Sequence, residues 1–185
     1  LGFMGGYNGL EIEGRVVNEG IVCDFTRTNG ETRENVVIHQ RKKKTQTFLA
    51  TPAPEIAPFD ATIFLNKLKQ IPGDSFVTMS GRRLPPGLDD SFYAQIITGL
   101  KDRNIKTFLD SDGEPLRRGV QAGPYLLKPS IHELGRLTAK SIKDQDEVLE
   151  NAMPYLEFSD HVVVSMGARG AIGFSKKEVF VAIPP

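Results

Sequence analysis

Four short stretches carry residue types that could do chemistry. The first is Lys128-Pro129-Ser130-Ile131-His132-Glu133. Lys128 offers a point charge to a phosphate, and Glu133 could order a hydrated Mg²⁺, which takes carboxylates together with water. The same spacing fits a capping box, with Ser130 as helix N-cap and Glu133 three residues on. Both readings hold for Glu133 only if its side chain does not fold back. The second stretch, Ser165-Met166-Gly167-Ala168-Arg169-Gly170-Ala171, follows a β-branched run. Its amides could meet a nucleotide phosphate, although a tight hairpin would use the same glycines. It is neither a Walker A loop nor a G-x-G-x-x-G fingerprint.

The third is Ser80-Gly81, followed by Arg82-Arg83-Leu84-Pro85-Pro86-Gly87. Ser80 has a hydroxyl to offer a ligand, and Gly81 allows close backbone approach; a rigid turn is the alternative. The fourth is Gly30-Glu31-Thr32-Arg33-Glu34-Asn35. Arg33 could fork onto phosphate oxygens, or pair at the surface with Glu31 or Glu34. His39, His132, His161 and Cys23 show no ligand spacing, so no transition-metal site is expected.

The elements that must position these residues are legible in outline. Leu1–Gly6 reads as a strand turning at Tyr7-Asn8-Gly9, with a helix after it closed by Asn18-Glu19-Gly20. Strands are expected at 21–25, 35–39 and 45–50, the last two flanking Arg41-Lys42-Lys43-Lys44 as a solvated hairpin tip. From residue 59 helical and apolar stretches alternate. Helices are expected at 59–70, 89–103, 115–121, 131–137 and 145–156, and strands at 75–80, 105–109, 125–127 and 161–165. A closing hairpin is expected at 171–174 and 178–182. Such alternation implies βαβ units and a mainly parallel sheet covered on both faces. Ligands of such sheets sit at the carboxyl ends of the strands, where most of the four stretches fall.

The chain has 185 residues, with 23 basic and 23 acidic side chains and no net charge. Nucleic-acid coats and membrane-surface proteins carry basic excess, so neither partner is expected. One cysteine excludes an internal disulfide and fits a reducing, cytoplasmic location. No apolar run reaches the length of a membrane span. The chain opens at Leu1 and ends at Ile183-Pro184-Pro185, apolar at both ends. The expectation is the central part of a longer chain.

In order, these stretches resemble the ribokinase-like sugar kinases of the PfkB family, and most closely the 1-phosphofructokinase and tagatose-6-phosphate kinase branch. Gly2-Phe3-Met4-Gly5-Gly6, Leu84-Pro85-Pro86-Gly87 and Leu109-Asp110 belong to the same match. The resemblance implies a three-layer α/β sandwich with a mainly parallel sheet and a small antiparallel β lid. One partial kinase domain would span 1–185, with 22–50 contributing to the lid. It implies ATP-dependent phosphorylation of a sugar phosphate with Mg²⁺, with fructose 1-phosphate as the first expectation. Tagatose 6-phosphate, or an inactive nucleotide-binding fragment, are the alternatives. By the resemblance Arg33 would hold the sugar's phosphate, and Ser80 and Gly81 would meet the sugar. Lys128, Ser130, Ser165, Gly167 and Gly170 would lie along ATP, with Glu133 reaching Mg²⁺ through water. The lid is often the contact of a homodimer in such enzymes.

Three departures stand out. Ser130 takes the place of the family's usual Asn, and Arg82-Arg83 that of one small residue. The family's sugar-binding Asp would precede Leu1, and its Gly-Ala-Gly-Asp motif, with the catalytic Asp, would follow Pro185. None of the expected site residues is therefore a base.

Overall fold

The computed structural model describes residues 1–184; residue 185, the end of the expected domain, lies outside them. The chain forms two compact units. One comprises Leu1–Lys67 with Pro85–Leu88, and the other Leu68–Leu84 with the chain from Asp89 onward.

In the first unit β1 (Phe3–Met4) runs parallel to β2 (Thr26–Arg27), Phe3 opposite Thr26. Two expectations are corrected here. Residues 7–9 are not a turn but the first turn of helix α1 (Gly6–Asn18). The cause is distant in sequence: the Glu31 carboxylate accepts from the amides of Tyr7 and Asn8, at 3.0 and 3.2 Å. An anion on the free amides of a first turn stabilises a helix start that has no local cap. Gly6 makes room for it with φ +64°, since a Cβ there would overlap that carboxylate. Residues 21–25 are not a strand, because β1 offers only two residues to pair with and Val22 stays 94% exposed.

Strands β3 (Asn35–Gln40) and β4 (Thr45–Ala50) form the expected antiparallel hairpin, with residues 41–44 at its tip. Every residue of both strands is exposed. Helix α2 (Pro58–Leu68) follows, and Phe64 stacks on Phe3 at 4.7 Å between ring centroids.

The second unit carries a six-stranded sheet. Its strands are β5 (Phe76–Gly81), β6 (Lys106–Ser111), β7 (Leu126–Leu127), β8 (His161–Ser165), β9 (Ala171–Ser175) and β10 (Val179–Ala182). They lie in sequence order across the sheet. The pairings from β5 to β8 are parallel, and those of β8 with β9 and β9 with β10 are antiparallel. Between the parallel strands run α3 (Phe92–Lys101), α4 (Gly113–Gln121), α5 (Ile131–Thr138) and α6 (Gln145–Ala152). The helix expected to reach residue 156 changes to a 3-10 turn at Met153–Glu157. Pro154 has no N–H to continue the α-helical ladder.

Register aligns one apolar row across five strands. Met79, Leu109, Leu127, Val162 and Phe174 stand opposite one another in turn and are all buried. The helices close on this row: a Cβ on Gly119 of α4 would meet Leu109 Cδ2 at 2.6 Å. The other face of the sheet is only partly covered: Phe76 is 64% exposed, and Phe108, Leu126 and His161 are half-buried. His161 Nε2 lies 3.1 Å from the Tyr125 hydroxyl, which gives this histidine a structural partner. The parallel strands all point their carboxyl ends to the same edge, where Ser80, Lys128, Ser130 and Ser165 lie.

Candidate functional site

At the end of β5, Ser80 stands opposite Asp110 and Gly81 opposite Ser111. Ser80 is exposed, with its hydroxyl free to face solvent. The Gly81 carbonyl accepts from Ser111 Oγ at 2.9 Å and from the Tyr93 hydroxyl at 3.4 Å. Those contacts hold the strand end while leaving Ser80 accessible.

Lys128 comes directly after β7. Its amide donates to the Leu109 carbonyl at 2.9 Å, and its Nζ lies 3.0 Å from Asp110 Oδ2. Both side chains are partly exposed, so the ammonium is held at the edge of the sheet rather than inside it. Two residues later Ser130 starts α5 with a complete capping box. Ser130 Oγ accepts from the Glu133 amide at 3.3 Å, and Glu133 Oε2 accepts from the Ser130 amide at 2.7 Å. The glutamate side chain therefore folds back in this structure. Its carboxylate serves the helix start first, and a water-mediated metal contact would have to share it or displace that bond.

The Ser165 amide donates to the Pro129 carbonyl at 3.1 Å, which sets Ser165 beside Ser130 in a short parallel bridge. Beyond Ser165 the chain makes a 3-10 turn, Gly167–Arg169. Gly170 has φ +87°, and a Cβ there would run into the Ala182 carbonyl, so this glycine answers a packing demand of β10. Gly167 has φ +61° and nothing near its Cα substituent position, which leaves its backbone open to a ligand. Ser130, Ser165 and Gly167 line one cleft of about 550 Å³ together with His132, Lys143 and Arg169. The last three were not foreseen. His132 is next to an expected residue, whereas Lys143 lies in a loop with no sequence signal at all.

Arg33 belongs to the first unit. It is exposed and forms no ion pair among the described residues. The expected alternative partner, Glu31, is engaged with α1 instead. Thr32 fastens the same segment, accepting from the Gly5 amide at 3.0 Å and donating its own amide to the Gly5 carbonyl at 2.9 Å. Arg33 thus stands on a pinned backbone with its guanidinium uncommitted.

Asp112 was also missed. It is 9% exposed and caps α4, accepting from the Gly113 amide at 2.8 Å. Arg136 grips it with two bonds of 2.8 and 2.9 Å, and Arg82 adds a third guanidinium bond at 3.1 Å. Burial pushes its carboxyl up, but the Arg136 and Arg82 bonds with the Gly113 amide outweigh that and hold it below the usual carboxylate value. Arg82 is one of the two residues that depart from the family's small one, so a signal existed, but its partner could not be read from spacing.

Oxygen donors suited to Mg²⁺ are present as Asp110 and Glu133, both on this edge. Among the described residues no group of three or more His, Cys, Asp or Glu could hold a metal ion. Mg²⁺ commonly keeps several waters and uses one or two carboxylates with substrate phosphates, so this donor set fits a hydrated ion and not a protein cage. No helix among the described residues is long and apolar enough to cross a membrane.

Comparison with known proteins agrees with this layout. The model of the pfkB family of carbohydrate kinases matches residues 1–185. The chain is 30% identical over 186 residues to a 1-phosphofructokinase of Bacillus subtilis, covering all of this chain and 60% of that protein. It is 29% identical over 188 residues to a tagatose-6-phosphate kinase of Staphylococcus epidermidis, covering 99% and 60%. Among solved structures, phosphofructokinase-2 of Escherichia coli in complex with fructose-6-phosphate superposes with a TM-score of 0.89 at 24% identity. That match covers 99% of this chain and 61% of the other, and at this identity it speaks to the fold alone. The chain therefore spans about three fifths of the length of the relatives it matches.

Proposed function

The chain belongs to the PfkB family of carbohydrate kinases, and from that premise we propose that the whole protein transfers the γ-phosphoryl group of ATP to a sugar phosphate. The substrate we assign is fructose 1-phosphate, giving fructose 1,6-bisphosphate. One observation carries the reading. Ser80, Asp110, Lys128, Ser130 and Ser165 fall at the carboxyl ends of four neighbouring parallel strands, in the order the family motifs require.

Phosphoryl transfer asks a protein mainly for positioning and charge neutralisation. Lys128 meets the ATP phosphates, and Asp110 keeps its ammonium aimed along the strand ends. Ser130, Ser165 and Gly167 line the cleft that takes the nucleotide, and Gly170 closes the 3-10 turn at its border. Ser80 and Gly81 contact the sugar; in the first unit Arg33 is the group suited to fork onto a sugar's phosphate. A Mg²⁺ ion held through water by Glu133 would neutralise charge on the transferring phosphates. These residues hold the reactants; none of them is assigned the removal of the hydroxyl proton.

The test is turnover by the full-length polypeptide with ATP and Mg²⁺. Release of ADP with fructose 1-phosphate, at a kcat/KM above that with tagatose 6-phosphate, is the expected result. Preference for tagatose 6-phosphate would reassign the substrate, and nucleotide binding without turnover on either would reduce the protein to a binding role.

The exposed β3–β4 hairpin supports a homodimer contact. It presents Val36, Val37, Ile38, Phe48 and Leu49 to solvent, more apolar surface than an isolated hairpin normally leaves uncovered. Sedimentation of the full-length protein decides this, with a monomer at working concentration the contrary outcome. The cytoplasm is the compartment consistent with ATP, phosphosugars and a single thiol.

A further inference from the structure

We propose that Asp112 is a positioning residue that couples the sugar-side turn after β5 to the nucleotide-side helix α5, so that a change at one substrate site alters affinity at the other. The proposal rests on the kinase reading for the identity of the two sides. The contacts themselves do not.

Each Asp112 oxygen takes two hydrogen bonds. Oδ1 accepts from the Gly113 amide and from Arg136 Nε; Oδ2 accepts from Arg136 Nη2 and from Arg82 Nε. Three separate segments therefore meet on one carboxylate. Arg82 follows Gly81 directly, at the turn that carries Ser80. Arg136 lies in the last turn of α5, three residues after Glu133 and six after the Ser130 cap. Three residues along a helix put Arg136 and Glu133 on neighbouring positions of one face. A shift of Arg136 moves the helix that carries both nucleotide-side residues.

The residue types fit this role better than a cap alone. Capping α4 needs only a small acceptor, and Ser or Asn would serve. Two guanidiniums converging on one site require a carboxylate. Exposed ion pairs are worth little, but this carboxylate is nearly buried, and in such surroundings the bonds of a network reinforce one another. Arg82 itself is 71% exposed and borders a cleft of about 500 Å³ with Arg83, Asp90 and Glu114. It can respond to a ligand, while Asp112 and Arg136 cannot move independently.

The experiment uses Arg82→Gln, a surface change that leaves the core untouched, alone and combined with Asp112→Asn, in the full-length protein. The KM for ATP is measured, together with amide hydrogen exchange across α5 in the ligand-free protein. Coupling through Asp112 predicts that R82Q shifts the ATP KM about 2- to 10-fold and speeds exchange in α5. Neither change should appear when R82Q is added to D112N. An unchanged ATP KM with unchanged α5 exchange overturns the proposal, as do effects that persist undiminished in the D112N background. If the unaltered protein turns over neither sugar phosphate, the kinase reading fails. The exchange arm still decides the coupling.

Discussion

The Lys128 ammonium and the Asp110 carboxylate stand 3.0 Å apart, bridging the carboxyl ends of two adjacent parallel strands. The pair is half-exposed, so its net worth to stability is small. Its value lies in direction. A lysine on a flexible stem loses rotamer freedom when it binds a phosphate, and Asp110 orders it in advance.

Replacing Lys128 by Met should lower kcat/KM for ATP by about 100-fold or more without moving the melting temperature appreciably. Steady-state kinetics beside a thermal melt separate the two effects. Asp110→Asn should retain more activity than K128M, since it loosens the lysine without removing it. Equal activity in K128M and the unaltered protein would remove Lys128 from the site.

The α1 start depends on a fit between two residues distant in sequence. Gly6→Ala places a methyl where the Glu31 carboxylate sits, at a φ that L side chains rarely adopt. The expected cost is about 2 kcal/mol, or about 5 °C in Tm for a chain of this size. Calorimetry reads it directly. Because Glu31 is pinned two residues before Arg33, the same variant should also raise the KM for the sugar phosphate.

Leu127 lies at the centre of the buried row and is fully inaccessible. Leu127→Ala should destabilise by about 2–5 kcal/mol through lost contacts and the cavity left behind. A denaturant titration showing a lower midpoint at unchanged slope would confirm a packing defect.

Ser130→Ala removes one arm of the capping box and should cost about 1 kcal/mol. Ser130→Asn keeps an acceptor at the N-cap and should restore most of it. Chemical denaturation of the two variants side by side makes the comparison. Glu133 Oε2 accepts from the backbone amide of residue 130, which both variants keep, so the Mg²⁺ dependence of turnover should be the same in the two.

Asp112 makes a prediction about acid. Its carboxyl titrates below the ordinary value of 3.8 in the folded protein. The folded state therefore keeps the charge that an unfolded chain gives up first. That contribution is complete above the unfolded value and is lost as pH falls through the lower, folded one. The Tm difference between the unaltered protein and D112N should stay constant from about pH 8 to pH 6 and shrink below about pH 4. A difference that grows on acidification would contradict the assigned ion pairs.

Much of the second unit was legible because its signals are local. Apolar runs at 75–80 and 161–165 became strands of the sheet, and the capping box at Ser130 and Glu133 formed as its spacing implies. Period and capping act over a few residues, so a one-dimensional reading captures them. The first unit was less readable. Helix α1 starts on a carboxylate 24 residues away, and the expected strand at 21–25 had only a two-residue partner. Such outcomes depend on what else is nearby in space.

The sequence by itself determined the order of strands and helices in the second unit and the glycines where the chain must turn or approach closely. Tertiary structure decided which of the expected site residues share an edge, that Glu133 folds back onto Ser130, and that Asp112 joins Arg82 to Arg136. The reason is the range of the forces involved. Backbone preferences and caps act between neighbours in the chain, whereas a buried carboxylate is stabilised by whichever guanidiniums the fold delivers to it.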